Sequence, residues 1–169
     1  MICRSFNRHS FRRLLTFAFQ VNINLCKVAS AYFRHAGNPV ISKVVGKRGV
    51  MNEDDVILLI EDDEDKAQLI ISILRQHLRG HIRHIEDGQA AMNFLFSDES
   101  NSTRLILLDL ILPNVDGIEI LKRIKADPVK SGIPVIILTA SSETQTYVTS
   151  LGLKPDGFAH KPGRLKDCA

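Results

Sequence analysis

Leu105-Ile106-Leu107-Leu108-Asp109 puts four consecutive aliphatic residues directly before an aspartate. A strand with one wet face alternates polar and apolar residues. An unbroken apolar run of this length reads as a strand covered on both sides, as in a parallel sheet. Val56-Ile57-Leu58-Leu59-Ile60 is a second such run, and the acidic cluster Glu61-Asp62-Asp63 closes it. In an open α/β sheet, ligands bind beyond the carboxyl ends of the strands. Carboxylates at two strand ends can therefore converge on one point. They repel one another there unless a cation or protons intervene. The arrangement suits a hard divalent cation such as magnesium and leaves one carboxylate available as a nucleophile.

Working outward, short apolar runs alternate with helical stretches, the signal of a βα series with helices on both faces of the sheet. After the strand at Val56–Ile60, a helix is predicted from Glu64 to Leu78, with Ala67, Ile70, Ile71, Leu74 and Leu78 as its apolar stripe. Asp63 to Asp65 at its start complement the helix dipole, and Gly80 ends it. A weaker strand follows at Ile82–Glu86, then a helix at Gln89–Phe96. The third strand is Leu105–Asp109, and the breaker-rich loop Leu110 to Gly117 leads into a helix at Ile118–Ala126. A β-branched run gives a strand at Pro134–Thr139. A helix follows at Glu143–Leu151, started by Ser141 or Ser142, and then a last strand at Gly157–His160.

The chain has 169 residues, 44% of them hydrophobic, which suits one globular domain plus some extra. Its net charge of +3 hides an asymmetry. Residues 1–50 hold nine Lys/Arg and no Asp or Glu, whereas residues 51–169 hold thirteen Lys/Arg against nineteen acids, a net −6. The basicity of the whole is therefore no nucleic-acid signature. Cys3, Cys26 and Cys168 are scattered, with no zinc spacing, and read as reduced thiols of a cytosolic protein.

Residues 1–50 lack a long amphipathic period, and Leu14–Phe33 is too polar to span a membrane comfortably. Their Arg-rich, acid-free composition has features of an export signal or an organelle transit peptide. A start at Met51, directly before the first strand, fits better and makes residues 1–50 an extension without a fold of its own. Targeting and a binding arm are the other two readings. Most of residues 1–50 is expected to pack poorly.

Five candidates fall at the carboxyl ends of the strands: Glu61 and Asp62 after the first, Asp109 after the third, Thr139 after the fourth and Lys161 after the fifth. Each alone has a plain explanation, as a cap, a turn entry, a β-former or a solvated lysine. Their shared position on one edge is what singles them out. His77, His81 and His84 lie near one another but span a change from helix to strand, and they read as solvated. Lys122, Arg123 and Lys125 read as the wet face of their helix.

The segments Ile57–Asp63, Leu107–Gly117, Pro134–Ala140 and Asp156–Pro162 together resemble the receiver domain of bacterial two-component response regulators, of the stand-alone, chemotaxis-regulator-like kind. The likeness runs from Val56 to Pro162. It implies a doubly wound, five-stranded parallel sheet in the flavodoxin-like order 2-1-3-4-5, with the receiver domain at 51–169. It also implies that Asp109 is the phosphoacceptor and Asp62 the main magnesium ligand. Glu61 would supply a second carboxylate, and the Ile111 backbone carbonyl would complete the protein's share. Thr139 would bond the phosphoryl group, with small Ala140 leaving access, and Lys161 would pair with a phosphoryl oxygen. Phe158 falls at the aromatic switch position. The cofactor implied is Mg2+, and the implied partners are a sensor histidine kinase and a downstream protein target. Direct nucleic-acid or membrane binding is not implied, and a homodimer is left open. No enzymatic activity is implied beyond self-phosphorylation from a phosphodonor and slow autodephosphorylation.

Only seven residues follow Pro162, where the family has a fifth helix, so the last helix is expected to be truncated or missing. The alternative function is then a receiver that cannot be phosphorylated and serves only for docking. Two rivals from other classes fare worse. An aspartate-nucleophile phosphatase of the haloacid dehalogenase kind wants a second Asp two residues after the nucleophile, where this chain has Ile111. A nucleotide- or flavin-binding domain wants a Gly- or Ser/Thr-rich loop after the first strand, where Glu61-Asp62-Asp63-Glu64-Asp65 would repel phosphate.

Overall fold

The structure is a computed structural model and describes residues 51–161. The expectations for residues 1–50 and for the last helix, residues 163–169, lie outside the described residues.

The elements follow in the order β1 (Val56–Ile60), α1 (Glu64–His77), β2 (His81–Ile85), α2 (Gly88–Leu95), β3 (Thr103–Asp109), α3 (Gly117–Ala126), β4 (Val135–Thr139), α4 (Ser142–Ser150) and β5 (Gly157–His160). Short 3-10 turns at Asp98–Ser102 and Lys130–Gly132 lead into β3 and β4. The five strands form one sheet in the order β2-β1-β3-β4-β5, with every neighbouring pair parallel. This is the doubly wound arrangement expected. The central strands earn their place by burial: Ile57, Leu58, Leu59, Ile60, Leu105, Ile106 and Leu108 are fully covered. Burying each such side chain stabilises the fold by about 1.5–3 kcal/mol relative to leaving it in water.

Alternate residues of the strands serve opposite faces. Leu58, Ile60, Ile106, Leu108 and Ile137 pack against Leu95 of α2, Ile120, Leu121 and Ile124 of α3, and Val148 of α4. Ile57, Leu59, Leu105, Leu107 and Ile136 pack against Ala67, Ile70, Ile71 and Leu74 of α1, with Met51 in the same cluster.

Three helices open on an aspartate whose side chain accepts a backbone N–H of the first turn. Asp63 caps α1 at Lys66, Asp87 caps α2 at Ala90, and Asp116 caps α3 at Glu119. Ser141 takes the cap position of α4 without a side-chain hydrogen bond. β2 begins one residue earlier than the apolar pattern suggests, because the His81 N–H bonds the Asp55 carbonyl at 2.8 Å. It also ends one residue earlier: the Ile85 carbonyl takes the Glu61 N–H, and Glu86 leaves the sheet. On the wet face of α3, Arg123 pairs with Glu119 at 3.3 Å and Lys125, less exposed, pairs with Asp156 at 2.8 Å. Gly117 must be glycine, since a Cβ there would lie 2.2 Å from the Asp109 carbonyl. That close approach draws the start of α3 onto the end of β3. Among the described residues, no helix is long and apolar enough to cross a membrane.

Candidate functional site

Parallel pairing sets the site. β1 and β3 run side by side with Ile60 opposite Leu108, so the residues that follow, Glu61 and Asp109, emerge together. β4 lies on the other side of β3, with Asp109 opposite Leu138, and β5 continues with His160 opposite Thr139. The Lys161 N–H bonds the Thr139 carbonyl at 2.7 Å, which anchors Lys161 at the same edge.

The side chains converge as the strand ends require. Glu61, Asp62 and Asp109 each offer a carboxylate oxygen, and these oxygens lie within 4.8 Å of one another. Glu61 is fully buried and Asp109 nearly so, while Asp62 is exposed. The Lys161 ammonium donates to Asp109 Oδ2 and sits 3.1 Å and 2.9 Å from the two Glu61 oxygens. The Ile111 N–H donates to Asp109 Oδ1 at 3.2 Å. Thr139 is buried, but its hydroxyl turns to Ser141, donating to that carbonyl at 2.7 Å and accepting that N–H at 3.0 Å. Ala140 is exposed beside it, leaving the approach open. Phe158 is half-buried and packs against the α2–α3 side of the core. Ile111 is 82% exposed, so its side chain closes nothing over the pocket.

Electrostatics show what the pocket lacks. Burial pushes the Glu61 carboxyl above the usual range; the Lys161 hydrogen bond opposes this and the Asp109 charge adds to it. Glu61 Oε2 accepts no aligned hydrogen bond from the protein, although the Lys161 ammonium is in ion-pair range. Lys66 also faces the cluster, 2.7 Å from Asp63 and 3.9 Å from Glu61. The Asp63 contact raises the Lys66 pKa, and the same bond lowers that of Asp63. Four carboxylates thus share two ammonium groups. An oxygen-only donor set with a buried carboxylate and a charge deficit fits a hard divalent cation.

The sequence candidates Glu61, Asp62, Asp109 and Lys161 meet in space. Thr139 stands beside them with its hydroxyl directed elsewhere, and Phe158 lies behind them in the core. One neighbour, Lys66, escaped the sequence reading, and another, His84, was misread. Lys66 carried a signal, since a lysine three residues after a capping aspartate folds back over it. His84 was noticed in the sequence but read as solvated, and the structure corrects that. Its side chain is 14% exposed, and its Nε2 donates to the Glu61 carbonyl at 2.8 Å.

With the geometry in place, comparison with known proteins gives one consistent result. The family model for the response regulator receiver domain matches residues 57–168. Response regulator Rcp1 of Synechocystis sp. is 39% identical over 121 residues, covering 69% of this chain and 82% of that protein. The crystal structure of the Mn2+-bound form of Rcp1 superposes with a TM-score of 0.58 at 37% identity, covering 68% of this chain and 86% of that one. The structure of the phosphorylated cyanobacterial phytochrome response regulator RcpA gives 0.57 at 30% identity, with 68% and 86% covered.

Proposed function

The chain belongs to the response regulator receiver family, and from that premise we propose that it is a phosphoacceptor switch charged at Asp109 by a sensor histidine kinase. A carboxylate oxygen of Asp109 attacks phosphorus. The bond from phosphorus to the donor nitrogen, or to the acetate oxygen of acetyl phosphate, breaks and leaves its electron pair on the departing group. The product is an acyl phosphate. The observation that carries this reading is the convergence of the Glu61, Asp62 and Asp109 carboxylates, with the Lys161 ammonium bonded to both Asp109 and Glu61.

Each residue has a task in this scheme. Lys161 is a compact charge already at the attacking carboxylate, and it follows the phosphoryl oxygens as charge builds on them. The Ile111 N–H orients Asp109 through Oδ1. The Thr139 hydroxyl leaves Ser141 and bonds the phosphoryl group, with Ala140 leaving room, and Phe158 repacks in response. Asp62 and Glu61 would hold Mg2+ together with Asp109 and the Ile111 carbonyl. When bound, the ion supplies positive charge against the incoming phosphoryl oxygens. The Mn2+-bound form of Rcp1 and the phosphorylated form of RcpA lend this weight, since both proteins resemble the chain. The proposal includes a cytoplasmic location, a downstream protein target, and no catalysis beyond self-phosphorylation and slow loss of the phosphate.

Acetyl phosphate with Mg2+ tests the scheme directly. The wild type should gain the mass of one phosphoryl group, stable to acid and labile to base, and Asp109→Asn should gain none. An unlabelled wild type, or equal labelling of the variant, overturns the proposal.

A further inference from the structure

We propose a second metal site on this chain, a histidine–carboxylate centre of Glu64, His84 and Glu86 that takes a zinc-type divalent cation. It lies outside the pocket of Asp109 and does not depend on phosphorylation. Among the described residues, only two groups of side chains present three ligand atoms within 4.8 Å of one another. One is the pocket already described and this is the other.

The placement follows from the fold. His84 lies on β2 and Glu86 just past its end, and their ligand atoms lie within 4.8 Å of each other. Ile82, two residues before His84, marks the side of the sheet that His84 faces, since it packs with Ala67, Ile70, Ile71 and Leu74 of α1. Glu64 is the first residue of α1 and comes down over the end of β2. His84 Nδ1 thereby reaches 3.5 Å from Glu64 Oε2.

The orientation of the ring is set from outside the trio. The partner of His84 Nε2 is the Glu61 backbone carbonyl at 2.8 Å, which can only accept. Nε2 therefore donates to that carbonyl, and Nδ1 is the ring nitrogen that faces the two carboxylates. Metal-bound histidines have this support: one ring nitrogen donates to a carbonyl or carboxylate, which fixes the tautomer and the ring plane, and the other binds the ion. One imidazole and two exposed carboxylates match zinc and its first-row neighbours. Magnesium prefers oxygen donors and suits the carboxylate pocket instead. The two sites sort by donor chemistry, although they share the short segment from Glu61 to Glu64.

Calorimetric titration of the full chain with Zn2+, in Mg2+ excess over the carboxylate pocket, reads the site. The wild type should bind one equivalent of Zn2+. His84→Gln and, separately, the exposed-site variant Glu86→Gln should each weaken it by about tenfold or more. Asp109→Asn should leave the zinc affinity in place, which separates this site from the phosphoacceptor proposal. Substituting Co2+ should give the weak visible bands of nitrogen and oxygen donors. Equal zinc affinity in wild type and Glu86→Gln, no zinc binding in Mg2+ excess, or an intense thiolate band from the scattered cysteines would each overturn the assignment.

Discussion

The two edges of this sheet use the same residue type to opposite ends. At the amino edge, before β1, the Asp55 carboxylate accepts the Asn52 N–H at 2.8 Å and Arg104 Nε at 2.9 Å. Before β5, Asp156 accepts the Val135 N–H at 2.9 Å and the Lys125 ammonium at 2.8 Å. Each of these aspartates has partners of its own and closes the end of a strand. At the carboxyl edge, Glu61 and Asp109 are buried against each other, share Lys161, and leave Glu61 Oε2 without an aligned donor. Satisfied charge staples a fold; crowded, under-compensated charge stores the capacity to bind. A family that keeps its chemistry at one edge of a parallel sheet can let the other edge serve stability alone.

The sharpest way to break the contrast is to remove one aspartate from each edge and measure metal binding. Asp62→Ala should weaken Mg2+ by at least about tenfold, since losing even an outer-shell partner costs that much. Asp55→Ala should leave the Mg2+ titration unchanged. A normal titration in Asp62→Ala would put the ion elsewhere.

A second comparison trades function for stability. Asp156→Ala leaves the Val135 N–H, at the start of a fully buried strand residue, without its acceptor. Denaturant unfolding should show a loss of about 1–3 kcal/mol, the cost of a buried donor left unmade, while labelling by acetyl phosphate persists. Unchanged unfolding would mean that water replaces the carboxylate at that edge.

The smallest effect is in pH. The Asn52 N–H, followed by Arg104, holds the Asp55 carboxyl below its ordinary value of 3.8. Because the folded value is the lower one, the stabilisation is fully present above 3.8 and fades as pH falls through the folded value. Asp55→Asn should therefore be less stable than wild type at neutrality, where the contribution is fully present, and the difference should shrink as pH falls below about 4, which flattens the acid limb. An identical acid limb would show that the Asp55 staple is inert.

Much of this was legible in the chain. Leu105–Leu108 and Val135–Leu138 read as strands because residues buried on both faces tolerate no polar alternation. Asp109 and Lys161 could be placed at one edge because parallel strands all end on the same side. β2 was harder, as His81, Arg83 and His84 break its apolar pattern. An edge strand buries only part of Ile82 and Ile85, so the pattern has little to report. The burial of Glu61, the arrival of Lys66 and the turning of the Thr139 hydroxyl to Ser141 all depend on neighbours distant in sequence or on a rotamer.

By itself, then, the sequence determined the alternation of strands and helices and the edge at which the acids and the lysine gather. Hydrophobic periodicity is local, and parallel topology carries it to one rim. The tertiary structure alone decided which carboxylate is sealed from water, which ammonium groups it shares, and that His84 is pinned to the Glu61 carbonyl. Those outcomes come from distances between separate elements, set by the packing of α1 on β2 and of β5 on β4, and no single segment encodes them.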